Sequence, residues 1–114
     1  MPYLDVLDLL KEIYSSIESV EFIKSISIRI EGPILKSRLI MTEKAFIDVF
    51  FNSKTKSISF TLVKNDERIF GIDRDSIRDW HKHPFGNPNE HIPCNETNFT
   101  TFLEEVKKNL NKLK

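Results

Sequence analysis

Ala45-Phe46-Ile47-Asp48-Val49-Phe50-Phe51-Asn52-Ser53-Lys54-Thr55-Lys56-Ser57-Ile58-Ser59-Phe60-Thr61-Leu62-Val63 decides the fold of this chain. The second run in it alternates Ile58, Phe60 and Leu62 against Ser59 and Thr61, the period of a half-buried strand. The first, residues 45–51, is apolar on both faces, so it lies inside a sheet or has its second face covered by another segment or a partner. Between them stands Asn52-Ser53-Lys54-Thr55, a turn-forming stretch too short for a crossover, which makes the two strands antiparallel neighbours.

The same grammar extends outward. Upstream, residues 35–41 form a strand closed by Thr42-Glu43-Lys44, and Ser25-Ile26-Ser27-Ile28-Arg29-Ile30 alternates strictly before the turn at Glu31-Gly32-Pro33. Downstream, after Lys64-Asn65-Asp66-Glu67, a fifth strand covers residues 68–72. Helical spacing brackets the meander. Val6, Leu10, Ile13 and Ile17 share one stripe within residues 3–19. Phe99, Phe102, Leu103, Val106, Leu110 and Leu113 share another within residues 99–113, entered through Asn98 or Thr101 as cap. The expected architecture is α+β: a five-stranded antiparallel meander sheet with an N-terminal and a C-terminal helix packed on one face, and a long loop before the second helix.

At 114 residues the chain supports one core, so residues 1–114 read as a single domain. Seventeen Lys and Arg balance seventeen Asp and Glu, and neither half carries a surplus, so the totals give no electrostatic footprint for nucleic acid or anionic lipid. One Cys rules out an internal disulfide. No run approaches the ~18 consecutive apolar residues of a membrane helix, and the N-terminal sequence lacks a signal-peptide pattern. The expectation is a cytoplasmic protein with no membrane contact; a homo-oligomer is compatible with the composition.

All three histidines fall in the segment before the last helix, Trp80-His81-Lys82-His83-Pro84-Phe85-Gly86-Asn87-Pro88-Asn89-Glu90-His91-Ile92-Pro93-Cys94. Pro84 biases His83 toward extended backbone, and in an extended segment residues two apart point the same way, so His81 and His83 converge with Lys82 opposite. Imidazoles suit proton transfer or metal ligation near neutral pH. His81, His83, His91 and Cys94 are four zinc-compatible groups, at a spacing that permits a site without being diagnostic of one. The plainer reading is a loop pinned by prolines, with imidazoles bonded to backbone groups. Trp80 reads first as a packing anchor and second as a stacking platform, and Cys94 as an ordinary small side chain. Lys36 and Arg38, or Arg68, could join Ser59 and Thr61 on the sheet face away from the helices and grip a phosphate; solvated surface charges are the simpler account. Asp73, Asp75 and Asp79 beside Arg74 and Arg78 read as a self-neutralising segment, from which a carboxylate could orient His81.

Arg68-Ile69-Phe70-Gly71-Ile72-Asp73, Trp80-His81-x-His83-Pro84-Phe85, and His91-x-Pro93 ahead of a Phe-Leu-Glu-Glu-Val helix together resemble the TumE-type toxins of prokaryotic toxin–antitoxin pairs. The Lys36-Ser37-Arg38-Leu39 strand and the Phe-rich third strand resemble that family as well. Where family members commonly carry an Asn-Ala-containing stretch after the aspartate matching Asp73, this chain has Arg74-Asp75-Ser76-Ile77-Arg78-Asp79. The resemblance implies a growth-restraining protein held in check by a cognate antitoxin, often a helix-turn-helix protein, with RNA as one target open to it. By analogy with small toxins of this fold class, it implies a metal-independent endoribonuclease. In that reading His81 and His83 are base and acid, Arg38 or Arg68 clamps the phosphate, and Trp80, Lys36 and His91 bind substrate. Two other classes stand beside it: a small zinc-binding module using His81, His83, His91 and Cys94, and a non-catalytic protein-interaction domain docking through the third strand.

Overall fold

The computed structural model describes residues 2–113. Helix α1 (Val6–Ile17) leads into strands β1 (Ser25–Glu31), β2 (Ile34–Ile40), β3 (Ala45–Asn52), β4 (Ser57–Lys64) and β5 (Glu67–Arg74). There follow β6 (His81–His83), β7 (Ile92–Pro93), α2 (Phe99–Lys108) and a 3-10 turn at Leu110–Leu113. The strands form one sheet in chain order, every neighbour antiparallel. The α+β class, the meander and the two helices match the expectation; the sheet has seven strands where five were expected. The extra two come from the histidine segment, read as loop. At three and two residues they are too short for alternation to register in the sequence, and their prolines read as breakers. Pro93 is tolerated because β7 is an edge, where no ladder donor is required of it.

Alternation sorts the sheet into two faces. Leu35 and Leu39 of β2, Ile47, Val49 and Phe51 of β3, and Ile58, Phe60 and Leu62 of β4 are all buried, and they form one core with Leu9 and Ile13 of α1 and Phe99, Phe102 and Val106 of α2. Both helices therefore cover the same face. Phe102 sits between Phe60 and Phe70, at ring-centroid distances of 5.5 and 5.3 Å, so it ties α2 to the middle of the sheet. β3 lies inside the sheet, which explains its two apolar faces: Ile47, Val49 and Phe51 enter the core, while Phe46 and Phe50 are half-buried on the face without helices.

The start of α2 shows how the helix layer is fixed. The first N–H groups of a helix have no partner within it. Here the Phe99 N–H donates to the Tyr3 hydroxyl at 2.8 Å, the Thr100 N–H to Glu12 Oε2 at 2.9 Å, and the Thr101 N–H to the Asn98 side chain at 2.8 Å. The Glu12 carboxylate also suits the positive end of the helix dipole. At the other end α2 stops at Lys108, short of the expected residue 113. The Asn109 N–H bonds back to the Val106 and Lys107 carbonyls, and the chain tightens into the 3-10 turn.

Candidate metal centre

The register carries the face without helices across to β6. Phe60 and Ile72 are partners on the core side, and Ile72 in turn pairs with Lys82, so Lys82 points to the helix layer and its Nζ donates to Glu105 Oε1 of α2 at 2.8 Å. His81 and His83 consequently lie on the opposite face, paired with Asp73 and Gly71 of β5. This is the same-side convergence expected from the residue before Pro84. Gly71 is needed for close approach: a Cβ there would stand 3.1 Å from the Phe60 carbonyl oxygen and 3.8 Å from His83 Cδ2.

The chain after His83 folds back over the site. The Asn87 N–H donates to the Pro84 carbonyl and the Glu90 N–H to that of Asn87, with Gly86 at φ +85° in the turn, a conformation that favours glycine. β7 then pairs with β6, and His91, one residue before it, comes to lie beside His83 with ring centroids 4.6 Å apart. One ligand-capable atom from each of His81, His83 and His91 lies within 4.8 Å of the others. His81 and His83 are buried, and His91 covers them from the solvent side.

Cys94 is not part of this group. Its N–H donates to the Trp80 carbonyl, extending the β6–β7 ladder, and its side chain packs against the core. Cys94 lies three positions after His91, an odd offset, so an extended chain sends them to opposite faces. Burial raises the Cys94 thiol pKa, the environment of a quiet side chain. Trp80 belongs to the core for the same reason of parity, being adjacent to His81; it packs as an anchor and offers no stacking surface to the histidine face.

Sequence reasoning gave Asp73 only a marginal part, because strand β5 was expected to end at residue 72. The strand runs to Arg74, which puts Asp73 opposite His81. Its Oδ2 lies 3.0 Å from His83 Nε2 and 3.9 Å from His81 Nε2, while Oδ1 accepts from the Ser59 hydroxyl at 2.7 Å; Ser59 in turn touches Thr61 Oγ1 at 3.1 Å. Arg68 reaches the same carboxylate, Nη1 to Oδ2 at 3.7 Å. Simple alternation from Asp73 would have turned Arg68 to the core. Between Leu62 and Val63 the register slips, so that Phe70 pairs with Leu62 but Arg68 with Val63, and this bulge at Ile69 reverses the parity. A bulge has no signature in one sequence.

Lys36 and Arg38 share the histidine face but not the site. They lie on β2, four strand spacings from β6, roughly 19 Å at ~4.8 Å per spacing. Arg38 is committed to Asp48, donating through Nε and Nη2 at 2.8 and 2.9 Å, and its guanidinium lies 4.0 Å from the Phe46 ring centroid. Arg38 and Lys36 thus stand away from the histidines, and of the two arginines expected as a phosphate clamp Arg68 is the one beside them. Lys36 and Arg38 instead border a groove of about 520 Å³ with Arg29, Phe50 and Ser59. Ser59 is the link between this groove and the carboxylate of the histidine site. The 74–79 segment is held by the Asp75 side chain, which accepts from the Ile77 and Arg78 N–H groups and whose pKa is lowered by those bonds.

The hydrogen bonds dictate which species the site can hold. His81 Nδ1 lies 2.8 Å from the Asp79 carbonyl and His83 Nδ1 3.0 Å from that of Pro88, so in each ring Nδ1 carries the proton and donates. A neutral imidazole then has a bare lone pair at Nε2. Both Nε2 atoms face Asp73 Oδ2, another acceptor, so the centre calls for positive charge: a proton, or a cation that the imidazoles and the carboxylate can share. Nδ1–H anchored on a backbone carbonyl with Nε2 turned inward is the arrangement of metal-binding histidine. His91 has its pKa lowered, by desolvation first and then by Arg78, His83 and His81, and so favours the neutral, lone-pair-bearing form. No helix among the described residues is long and apolar enough to cross a membrane. No family model, no curated protein and no solved structure matches the chain.

Proposed function

We propose that this chain binds one divalent transition-metal ion, with zinc as the first candidate, through His81, His83 and His91, with Asp73 completing or orienting the set. The observation that carries the reading is the convergence of three imidazoles within 4.8 Å, the two buried ones anchored through Nδ1 on carbonyl oxygens. Nitrogen and oxygen donors in this number suit zinc and its borderline neighbours better than magnesium or calcium, which favour all-oxygen sets. The same geometry speaks against metal-independent acid–base catalysis by His81 and His83. Both rings are buried, each Nδ1 is engaged by a carbonyl, and each Nε2 faces Asp73 instead of a solvent-open substrate position. A bound ion would join β5, β6 and the chain before β7, and at a position left open it would polarise a water or a phosphoryl oxygen. The test is elemental analysis of purified protein. About one zinc per chain in the natural sequence and none in a folded His81→Ala/His83→Ala variant supports the proposal; equal metal content in the two refutes it.

A toxin that cleaves RNA is the second reading. It is favoured by the resemblance of this segment to TumE-type toxins and by one structural feature, the groove bordered by Arg29, Lys36 and Arg38 that reaches Ser59 and hence Asp73. In this form Arg68 would be the cation at the reacting phosphate, the groove would take the flanking strand, and a cognate antitoxin would cover the face. Induced expression tests it. Growth arrest by the natural chain but not by Arg68→Ala at equal protein level supports the reading, and unimpaired growth with both counts against it.

A further inference from the structure

The two edges of the sheet are protected very differently. At one edge β7 is two residues long and ends in Pro93, which has no N–H to offer a neighbour. At the other edge β1 runs for seven residues, Ser25–Glu31, each paired with β2 on one side. Its outer side has no strand partner among the described residues. Along it there is no proline, no bulge and no charge on the helix side. The helix side carries Ile26, Ile28 and Ile30, of which Ile30 is 40% exposed. On the other side stand Ser25, Ser27, Arg29 and Glu31, and the only two charges neutralise each other, Arg29 Nε to Glu31 Oε1 at 2.9 Å.

We propose that β1 pairs antiparallel with β1 of a second copy of this chain, about a two-fold axis through Ile28. The strand is self-complementary in this register and in no other to the same degree. Centring on Ile28 uses all seven residues and keeps both helix layers on the same side of the joined sheet. It sets Ile28 opposite Ile28 of the partner subunit and Ile26 opposite Ile30 of the partner subunit, so the half-exposed isoleucines cover one another. It also sets Ser27 opposite Arg29 of the partner subunit and Ser25 opposite Glu31 of the partner subunit, with no like charges face to face. Centring on Arg29 would oppose two guanidinium groups and leave two residues of each strand unpaired. Centring on Ser27 also leaves two unpaired and strands Ile30 in water. An isologous two-fold contact closes on itself, so the edge would be used up in the dimer and no filament would grow from it.

The proposal does not depend on the metal centre, which lies at the far edge of the sheet, and metal-free full-length chain is the material for its test. Sedimentation equilibrium should give twice the 13.4 kDa chain mass, and Ile28→Lys should return it to the single-chain mass. Far-ultraviolet circular dichroism and buried-Trp80 emission would confirm that the variant is folded. Register is read separately by oxidation in a Cys94→Ser background. Ile28→Cys faces its own copy and should form a disulfide-linked dimer, whereas Ile30→Cys should not. A single-chain mass at every concentration, a dimer that survives Ile28→Lys, or cross-linking through Ile30→Cys as fast as through Ile28→Cys would each overturn the proposal.

Discussion

Adding zinc to metal-free protein should raise its melting temperature by an amount that can be worked out beforehand. A ligand that binds only the folded state stabilises it by RT ln(1 + [L]/Kd), about 2.7 kcal/mol at a hundredfold excess over Kd. The folded site adds fixed ring orientations and the Asp73 carboxylate of a separate strand to the local run of residues 81 to 91, so it binds the ion more tightly than the unfolded chain does. At ~2.1 cal/mol/K per residue, 114 residues give an unfolding entropy of about 0.24 kcal/mol/K, so the predicted shift is about 11 °C. Trp80 supplies the assay: it is the only Trp, it is buried, and it precedes His81 directly, so its emission follows the loss of this part of the sheet on heating. The His81→Ala/His83→Ala variant should melt at the same temperature with and without zinc. A natural chain that shifts by less than about 1 °C at saturating zinc, or a variant that shifts as much as the natural chain, would refute the reasoning.

Zinc affinity, read by calorimetry, should fall as pH drops, because a protonated imidazole has no lone pair to offer the ion. His91, with its pKa lowered by desolvation first, keeps its lone pair to lower pH than a free imidazole does. Asp73→Asn should weaken zinc binding by about 10- to 100-fold, as removal of a supporting carboxylate does at other sites, whereas Arg38→Ala, four strands away, should leave it unchanged in the same titration. Tyr3→Phe leaves the buried Phe99 N–H without an acceptor and should cost about 1–3 kcal/mol in urea unfolding. Burial holds the Tyr3 hydroxyl pKa far above its usual value near ~10, so this group's contribution is present below that pH and is lost as pH rises beyond it.

The long elements were legible because their periodicity had room to repeat. Ile58, Phe60 and Leu62 needed only alternation to declare a buried face, and the antiparallel pairing of β3 with β4 followed from a short turn. What escaped depended on few residues or on pairing across the sheet. β6 and β7 owe their pairing to strand neighbours that a local pattern does not reveal. The pair His81 and His83 was foreseeable from Pro84 and strand parity; the same parity, applied to His91 and Cys94, would have separated them had the segment been read as strand. Arg68 reached the site through a bulge that only the β4–β5 register exposes, and Asp73 through two further residues of strand. The distance of Arg38 from the histidines was hidden for the converse reason: alternation assigns a face but says nothing of the distance along it.

The measurement that bears most directly on the metal centre is zinc K-edge X-ray absorption of the loaded protein. One zinc per chain is expected in a shell of nitrogen and oxygen donors at about 2.0–2.2 Å, with the outer-shell scattering of imidazole and no sulfur at ~2.3 Å, because Cys94 faces the core. A sulfur donor in the shell, or a chain that retains no stoichiometric zinc to measure, would contradict it.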